Sequence, residues 1–345
     1  MSMAKITVHR ARPLAGPLRK GLSWASGRRV GAAVGSRRRT PPVIRGSTAG
    51  SPWTGSDVGV RSGRRRPRPV RSPRGVMRVQ FRVLGSVEIV DDLGHVHTPN
   101  GRTASLLAAL LVQPDVPVDR QDLVRALWPA GSPASAAANL RQYAARCRQL
   151  LNACADGIGY RLRSAPAGYR LHVRRDELDL TLFEDRAEQG RQAATRGDLA
   201  QARDHLEAAL GLWRGRLGQG ATLGTEIEHR ALYWDELRLG AHHLLAQTRL
   251  GLGEYQQAIA ELRPLLSAHP FREEFAGMLM LALYRSYRKG EALRIYSQTR
   301  RRFVESLGLE PTRDLQQLQQ GILAENLPLD DRGFAWLRQP STDPA

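Results

Sequence analysis

Cysteine is scarce in this sequence, and its scarcity excludes two common ways of stabilising a fold. The 345 residues contain only Cys147 and Cys154. A zinc site needs more ligands than these two thiols supply, and a disulfide is not expected in a cytosolic chain. No stretch approaches the roughly 20 consecutive apolar residues that span a bilayer. We therefore expect a cytoplasmic protein with no metal, no other cofactor and no membrane contact.

Lysine is also scarce, and this affects how the positive charge is interpreted. Only three of the 52 basic residues are lysine, which indicates a GC-rich genome and weakens any claim that arginine was chosen for function. The formal net charge is +19, but residues 1–75 alone hold 18 basic residues and one acid. Residues 77–175 hold 13 basic and seven acidic residues, and residues 176–345 hold 21 and 25. A basic module therefore precedes a mildly acidic one.

The two ends of the chain are predicted to be disordered tails. Residues 1–75 are rich in Arg, Gly, Ser and Pro, and they have too little apolar mass to offset the entropy of ordering. A nucleic-acid-binding arm, a transit-like leader and an artefact of an upstream start codon all remain possible. We favour the artefact because Met77 opens MRVQFRVLG, a natural beginning for a folded domain. Residues 328–345 are predicted to form the second tail.

Residues 77–175 carry a sequence of strand, helix and turn patterns. Alternation in VQFRVLGSVEIV predicts strands, and ASLLAALLV predicts an apolar helix. Asp119 is expected to cap a second helix, and Ser132-Pro133 to begin a third with an N-cap serine and a proline at the first helical position. YRLRSAPAGYRLHV predicts a basic β-hairpin around a Pro/Gly turn. Together these elements predict a winged helix-turn-helix.

The third helix, NLRQYAARCRQLL, has one apolar stripe formed by Leu140, Ala144, Cys147 and Leu151. Its Arg and Gln residues lie on the other faces, which in a lone helix would indicate a solvated surface. In a winged helix-turn-helix, however, the third helix enters the major groove, where Arg pairs with guanine edges and Gln with adenine. Base contacts are therefore predicted for Arg141, Gln142 and Gln149. Phosphate contacts, which fix the register, are predicted for Asn139, Arg146, Arg148, Arg161, Arg163 and Arg170.

Residues 176–327 are predicted to be almost entirely helical. Ala258 and Ala292 are 34 residues apart, which is the tetratricopeptide period, and a more diverged copy is expected around Ala202. Helical arrays of this kind usually present a concave surface to a partner. The predicted fold class is mainly α, with an N-terminal α/β winged helix-turn-helix followed by an all-α tetratricopeptide-like helical repeat domain. Each domain is expected to bury its own core.

No motif in the chain indicates catalysis. The segment GRLGQGAT, residues 215–222, is close to a phosphate-binding loop but has Ala221 where the lysine should be. The sequence has no GxSxG, no HExxH and no Cys/His arrangement that indicates a nucleophile. We therefore do not expect an enzyme.

Together with the third helix and its hairpin, six segments spread over residues 77–327 form a specific set: FRVLGSVEIV, VPVDRQDLVRALWP, DELDLTLFE, AALGLWRG, LMLALYRSYRKGEAL and LGLEPTRDLQQLQQGIL. With this set the chain resembles the Streptomyces antibiotic regulatory protein family of transcriptional activators, in the short form that lacks an ATPase module. The resemblance implies an OmpR/PhoB-type winged helix joined to a bacterial transcriptional activation domain. It also implies binding to direct repeats of promoter DNA near the −35 element, and recruitment of RNA polymerase through its sigma or alpha subunit. The target genes would be those of secondary-metabolite (antibiotic) biosynthesis.

Two alternatives stay open at this point. A helical-repeat scaffold or signalling adaptor would use the winged helix to dock protein, and it would show no salt-sensitive DNA binding. A repressor would make the same DNA contacts as an activator. The protein is expected to bind DNA as a homodimer or as tandem copies, and to associate with the nucleoid.

Overall fold

The computed structural model of the chain describes residues 79–155 and 157–327, and for residue 226 it describes the backbone alone. The predicted tails over 1–75 and 328–345 lie outside these residues. All described residues belong to one structural unit, Pro67–Ala345.

Three short antiparallel strands open the described chain, in the order β1-β2-β3: β1 (Gln80–Arg82), β2 (Glu88–Val90) and β3 (Val96–His97). Phe81 pairs with Ile89 across the first ladder, and both side chains are fully buried. The alternation in the sequence therefore predicts these strands correctly, because residues of one face must all point into the core.

Asp91 holds the turn between β2 and β3. Its Oδ1 accepts hydrogen bonds from the backbone N–H groups of Leu93 at 3.0 Å and His95 at 2.8 Å. Its Oδ2 lies 3.0 Å from His95 Nδ1 and 3.2 Å from His97 Nε2. Burial would raise the pKa of the Asp91 carboxyl, but the hydrogen bonds from His97 and from His95 lower it to about 2. The turn is thus held by an ionised carboxylate.

Three helices follow: α1 (Gly101–Leu111), α2 (Arg120–Leu127) and α3 (Ala136–Cys154). Asp119 caps α2 as predicted, since its side chain accepts a hydrogen bond from the N–H of Gln121 at 2.6 Å. The predicted start of α3 at Ser132-Pro133 is wrong. Pro133 begins a turn instead, because its carbonyl accepts the N–H of Ala136 at 2.9 Å.

The predicted hairpin is present as part of a second sheet with the order β4-β6-β5: β4 (Val118–Asp119), β5 (Leu162–Ser164) and β6 (Gly168–Leu171). Strand β4 was not predicted, because two residues are too few to show an alternating pattern. A Cβ at Gly168 would lie 1.9 Å from the carbonyl oxygen of Val118, so this position needs glycine for β6 to approach β4. The three helices and this hairpin form the predicted winged helix-turn-helix.

The remainder of the described chain is helical, as predicted: α4 (Asp179–Thr195), α5 (Leu199–Leu210), α6 (Thr225–Leu252), α7 (Tyr255–Ala268), α8 (Glu273–Arg285), α9 (Lys289–Leu307) and α10 (Arg313–Ala324). From α4 to α9 each helix packs on the next, and α10 packs on α8 and α9. Ala202, Ala258 and Ala292 lie in α5, α7 and α9, and all three are fully buried. Their small side chains let neighbouring helices approach closely, as the repeat pattern predicted. No helix of the described residues is long and apolar enough to cross a membrane.

The apolar cores do not follow the expected domain boundary. One core contains Phe81 and Leu107 of the winged helix together with Phe183 and Trp213 of the helical domain. A second core is formed by α6 to α10. Helix α6 serves both, with Ala241 and Leu245 in the first core and Leu239, Ala246 and Leu250 in the second. The helical domain therefore has one core of its own and shares the other with the winged helix.

Asp179 is a buried polar contact at the junction of the two domains. The backbone N–H groups of Val83 and Leu84 donate to its carboxylate at 2.9 and 3.0 Å. Arg214 Nη1 donates to the same carboxylate at 3.3 Å. Burial raises the pKa of Asp179, while the hydrogen bonds from Leu84, Val83 and Arg214 oppose the rise. The first residue of α4 thereby fixes the segment between β1 and β2.

The strap, residues 211–224 between α5 and α6, is a second connection at this junction. The N–H groups of Arg214 and Gly218 donate to the carbonyls of Leu84 and Val83 at 2.7 and 2.9 Å. A Cβ at Gly224 would lie 2.6 Å from the Cα of Ala126, so the strap also packs closely against α2. Within the segment GRLGQGAT, Gly218 and Gly220 have positive φ angles of 62° and 83°, so these glycines serve turns of the backbone.

Candidate nucleic-acid interface

Helix α3 has a buried face and an exposed face. Leu140, Ala144, Cys147 and Leu151 are each at most 1 % exposed. Burial raises the pKa of the Cys147 thiol to about 12, so this cysteine is a core residue. Because successive residues of a helix are about 100° apart, the side opposite this stripe must face solvent.

The three predicted base-contact residues lie on that exposed face. Arg141, Gln142 and Gln149 are all exposed, and none of their side chains forms a hydrogen bond or ion pair with any residue that the structure describes. At about 100° per residue they fall within one arc of roughly 100°. The exposed Ala138 and Ala145 lie in the same arc. Their short side chains leave room for the helix to approach a groove closely.

Two of the predicted phosphate contacts flank this face and already have neighbours. Asn139 is half-buried, and its Nδ2 donates to Ser135 Oγ at 3.1 Å. The Arg146 guanidinium lies 5.7 Å from the ring centre of Tyr143. A cation stacked on an aromatic ring is held in place and keeps its N–H groups at the edge free to donate.

Arg148 connects α3 to the hairpin. Its Nε donates to the carbonyl of Leu162 at 2.9 Å, and its Nη2 donates to Ser164 Oγ at 3.3 Å. The guanidinium also lies 5.9 Å from the ring centre of Tyr169. Because Nε and Nη2 are occupied, Arg148 positions the hairpin relative to α3. Nη1 is the nitrogen left for its predicted contact with a phosphate.

Arg163 and Arg170 lie directly opposite each other on β5 and β6. Both are exposed. Arg170 has a long contact with Asp115, at 3.4 Å, and Arg163 forms no ion pair with a described residue. Like charges placed directly across a ladder destabilise a sheet. Binding an anion such as a phosphate between the two arginines would offset this repulsion.

Arg161 is a predicted phosphate contact that the structure contradicts. It lies in a 3-10 turn, Ile158–Arg161, directly before β5, and it is only 8 % exposed. Its Nη1 donates at 2.6 Å to Oε2 of Glu177, which is 2 % exposed. Reaching a phosphate would take the closer cation from this buried carboxylate and leave it with Arg174, whose Nε lies 3.5 Å from Oε1, at a cost of about 2–3 kcal/mol. Arg161 therefore holds the hairpin to the domain junction.

Arg120 is a candidate that the sequence analysis missed. It is the exposed first residue of α2, and its backbone N–H donates to the carbonyl of Ala167 in the hairpin turn at 2.9 Å. The backbone of Arg120 is therefore adjacent to the turn of the hairpin that carries Arg163 and Arg170, although it is distant in sequence. The only local signal was a basic residue directly after the capping Asp119.

No metal centre is present in the described part of the chain, where no group of three or more His, Cys, Asp or Glu side chains could hold an ion. The arrangement on α3 and the hairpin is instead one of exposed donors and cations. Such a surface can bind the base edges and phosphates of a duplex.

Comparison with known proteins identifies the family. A model described as the bacterial transcriptional activator domain matches residues 178–323. The regulatory protein DnrI of Streptomyces peucetius is 33% identical over 261 residues, which are 74% of this chain and 96% of DnrI. The chain belongs to the Streptomyces antibiotic regulatory protein family. The resemblance deduced from the six sequence segments is thus confirmed.

Two further matches show how much of each related protein this chain covers. The regulatory protein AfsR of Streptomyces griseus is 35% identical over 271 residues, which are 77% of this chain and 26% of AfsR. The chain therefore spans about a quarter of the length of that relative. The solved structure of Mycobacterium tuberculosis EmbR, in complex with a low affinity phosphopeptide, matches with a TM-score of 0.68 and 32% identity. That match covers 74% of this chain and 67% of the EmbR chain, and it confirms the predicted fold class.

Proposed function

We propose that this family member binds promoter DNA sequence-specifically and activates transcription. The observation that carries the proposal is the exposed face of α3, whose Arg141, Gln142 and Gln149 have no partner among the described residues. That face lies beside a hairpin with two arginines placed opposite each other. In a winged helix-turn-helix these positions correspond to the major groove and to the adjacent phosphates.

The roles of the side chains follow from their chemistry. Arg141 would pair with a guanine, and Gln142 and Gln149 with adenines, because each can form two parallel hydrogen bonds to a base edge. Contacts to phosphates would fix the register and carry the salt dependence. These are assigned to Asn139, Arg146, Arg148, Arg163 and Arg170, with Arg120 added and Arg161 removed.

The proposal extends to the assembly at the promoter. Tandem copies or a homodimer would bind direct repeats near the −35 element, and the helical domain would recruit RNA polymerase through its sigma or alpha subunit. Membership of the family supports secondary-metabolite genes as the target. The protein would act at the nucleoid in the cytoplasm, and it would catalyse no reaction.

Two substitutions separate the proposed base contacts from the proposed phosphate contacts. Gln142→Ala should relax the sequence preference at one base position and cost about 1–3 kcal/mol of binding free energy at the preferred site. Arg163→Ala should weaken binding to all sequences alike and reduce the slope of log K against log[salt] by about one unit. Arg186→Ala, an exposed arginine on α4, is the matched control and should change neither quantity. An unchanged base preference in Gln142→Ala would remove this residue from the proposed readers.

A transcription assay distinguishes an activator from a repressor. A template carrying the preferred site near its −35 element would be transcribed by RNA polymerase with and without the protein. The proposal predicts more transcript with the protein, and a loss of that gain in Arg141→Ala. Less transcript with the protein would show a repressor.

A further inference from the structure

The outer surface of α9 carries positive charge that the proposed DNA contacts do not use. Arg294, Arg301 and Arg302 are exposed, and none of them forms an ion pair with a described residue. By contrast, Arg300 on the same helix is neutralised by Glu310 through two contacts at 2.6 and 2.5 Å. The uncompensated charge of α9 therefore belongs to the three unpaired arginines.

The three arginines do not all lie on one side of the helix. Arg294 and Arg301 are seven residues apart, so they share a side and are separated by about 10 Å along the helix axis. Arg302 is turned by about 100° from Arg301, toward the opposite flank. Glu305 lies in line with Arg294 and Arg301, one turn further on.

Arg294 and Arg301 form a row of positive charge along α9. An open cleft of about 560 Å³ adjoins this row, between α9 and α10. Val304, which is 41 % exposed, supplies an apolar part of its lining. Polar groups surround that part, and Arg301 lies at the boundary between the cleft and the row. The lining also contains Tyr296, Ser297, Arg300, Glu305 and Gln319. Helices α8 and α10 pack against α9, and Arg301 and Val304 remain exposed where they line the cleft.

The dimensions and the mixed chemistry fit a peptide. A volume of a few hundred Å³ holds one or two side chains. The charge from Arg294 to Arg301 extends over about 10 Å, which is more than a compact anion would contact. Arginines match carboxylates, Val304 matches an apolar side chain, and Ser297 and Gln319 can bond a peptide backbone. Glu305 also lines the cleft and interrupts the positive charge, which suits the separate carboxylates of a peptide better than the continuous phosphates of a nucleic acid.

We propose that this α9–α10 surface binds an acidic peptide segment of a partner protein. Carboxylates of the segment pair with Arg294 and Arg301, and an apolar side chain enters the cleft against Val304. The assignment of the partner to the transcription machinery rests on the proposed function, whereas the recognition chemistry does not.

The test uses the full chain and a fluorescein-labelled synthetic peptide that repeats Glu-Glu-Leu-Phe three times, with binding measured by fluorescence anisotropy at low salt. A peptide with Gln in place of Glu is the charge control. The wild type should bind the Glu peptide about tenfold more tightly than the Gln peptide, because the charge pairs form at a partly enclosed surface. Arg301→Glu should lose about tenfold in affinity, and Arg302→Glu, its neighbour on the other flank, less than about twofold.

A charge exchange keeps the test independent of folding. Arg301→Glu should bind a peptide that repeats Lys-Lys-Leu-Phe more tightly than the wild type does, which a misfolded variant would not. Val304→Ser should weaken the binding of the Glu peptide when it is introduced into the wild type. It should also weaken the binding of the Lys peptide when it is introduced into Arg301→Glu.

The inference is overturned by equal losses in Arg301→Glu and Arg302→Glu, by equal affinity for the Glu and Gln peptides, or by no binding of the Glu peptide. It is also overturned if Arg301→Glu weakens binding to random-sequence DNA while peptide binding is unchanged, since the surface would then contact nucleic acid. A chain that binds the peptide through Arg301 and selects no DNA sequence would contradict only the proposed function. A chain that selects DNA and ignores the peptide would contradict only this inference.

Discussion

Replacing Asp179 is expected to destabilise the junction between the winged helix and the helical domain. In Asp179→Ala the buried N–H groups of Val83 and Leu84 lose the carboxylate that accepts them. Each buried donor left without an acceptor costs about 1–3 kcal/mol. The loss is partly offset because the wild type must desolvate the carboxylate, and the same burial raises the pKa of Asp179. We expect a net decrease of about 3 kcal/mol in the free energy of unfolding, a large share of the roughly 5–15 kcal/mol typical of a protein.

Urea unfolding followed by tryptophan fluorescence measures this decrease. Asp179→Asn keeps one acceptor oxygen and should lose less than Asp179→Ala. Asp204→Ala is the control, because Asp204 forms an exposed pair with Arg203 at 2.8 Å and such pairs contribute about 0–1 kcal/mol. In the same alanine variant, the amide hydrogens of Val83 and Leu84 should exchange with solvent faster than in the wild type. A change below about 1 kcal/mol with unaltered exchange of both amides would refute the role given to Asp179.

The other predictions concern separate parts of the described chain. Arg161→Ala should lower the free energy of unfolding by about 2–3 kcal/mol, because it removes the closer of two cations at the buried Glu177 carboxylate and leaves only Arg174. Arg163→Ala should not lower the urea midpoint, and the reverse order of the two variants would restore Arg161 as a DNA contact. The pKa of Asp91 is lowered to about 2 in the fold, so its contribution is present above the ordinary pKa near 4 and is lost as the pH falls toward 2. Asp91→Asn should therefore weaken the loss of stability between pH 4 and 2, and an identical acid limb of the unfolding curve would count against that contact. Burial raises the pKa values of Cys147 and Cys154 to about 12 and about 11, so the folded chain should react with iodoacetamide at pH 8 far more slowly than the chain in urea; equal rates would show that α3 is not packed as described.

The elements that the sequence predicts well are those whose pattern is local. The apolar stripe of α3 repeats with the helical period, and the strands around Phe81 alternate, so both can be assigned from neighbouring residues alone. Asp119 similarly predicts the start of α2, because it directly precedes a charged first turn. Each of these features depends on contacts within a few residues along the chain.

The errors occur where the outcome depends on distant contacts or on a change of period. Arg161 was grouped with Arg163 and Arg170 as if it lay on a strand, but it belongs to the preceding 3-10 turn, where alternation does not apply. The turn at Pro133 looks in sequence like a helix start, because serine and proline favour both structures. The core shared by Phe81 and Phe183 has no local signal, since an apolar pattern shows that a face is buried but not against what.

Selection of bound sequences from a random duplex DNA pool, with the full chain at about physiological salt, tests the central claim most directly. The protein with Gln142→Ala would be run beside the wild type. We expect the wild type to enrich a direct repeat whose half-sites lie about one helical turn apart, and Gln142→Ala to lose the preference at one position in each half-site. Retention of DNA without any enriched sequence, or the same enriched sequence with both proteins at full strength, would contradict the reading of DNA by α3.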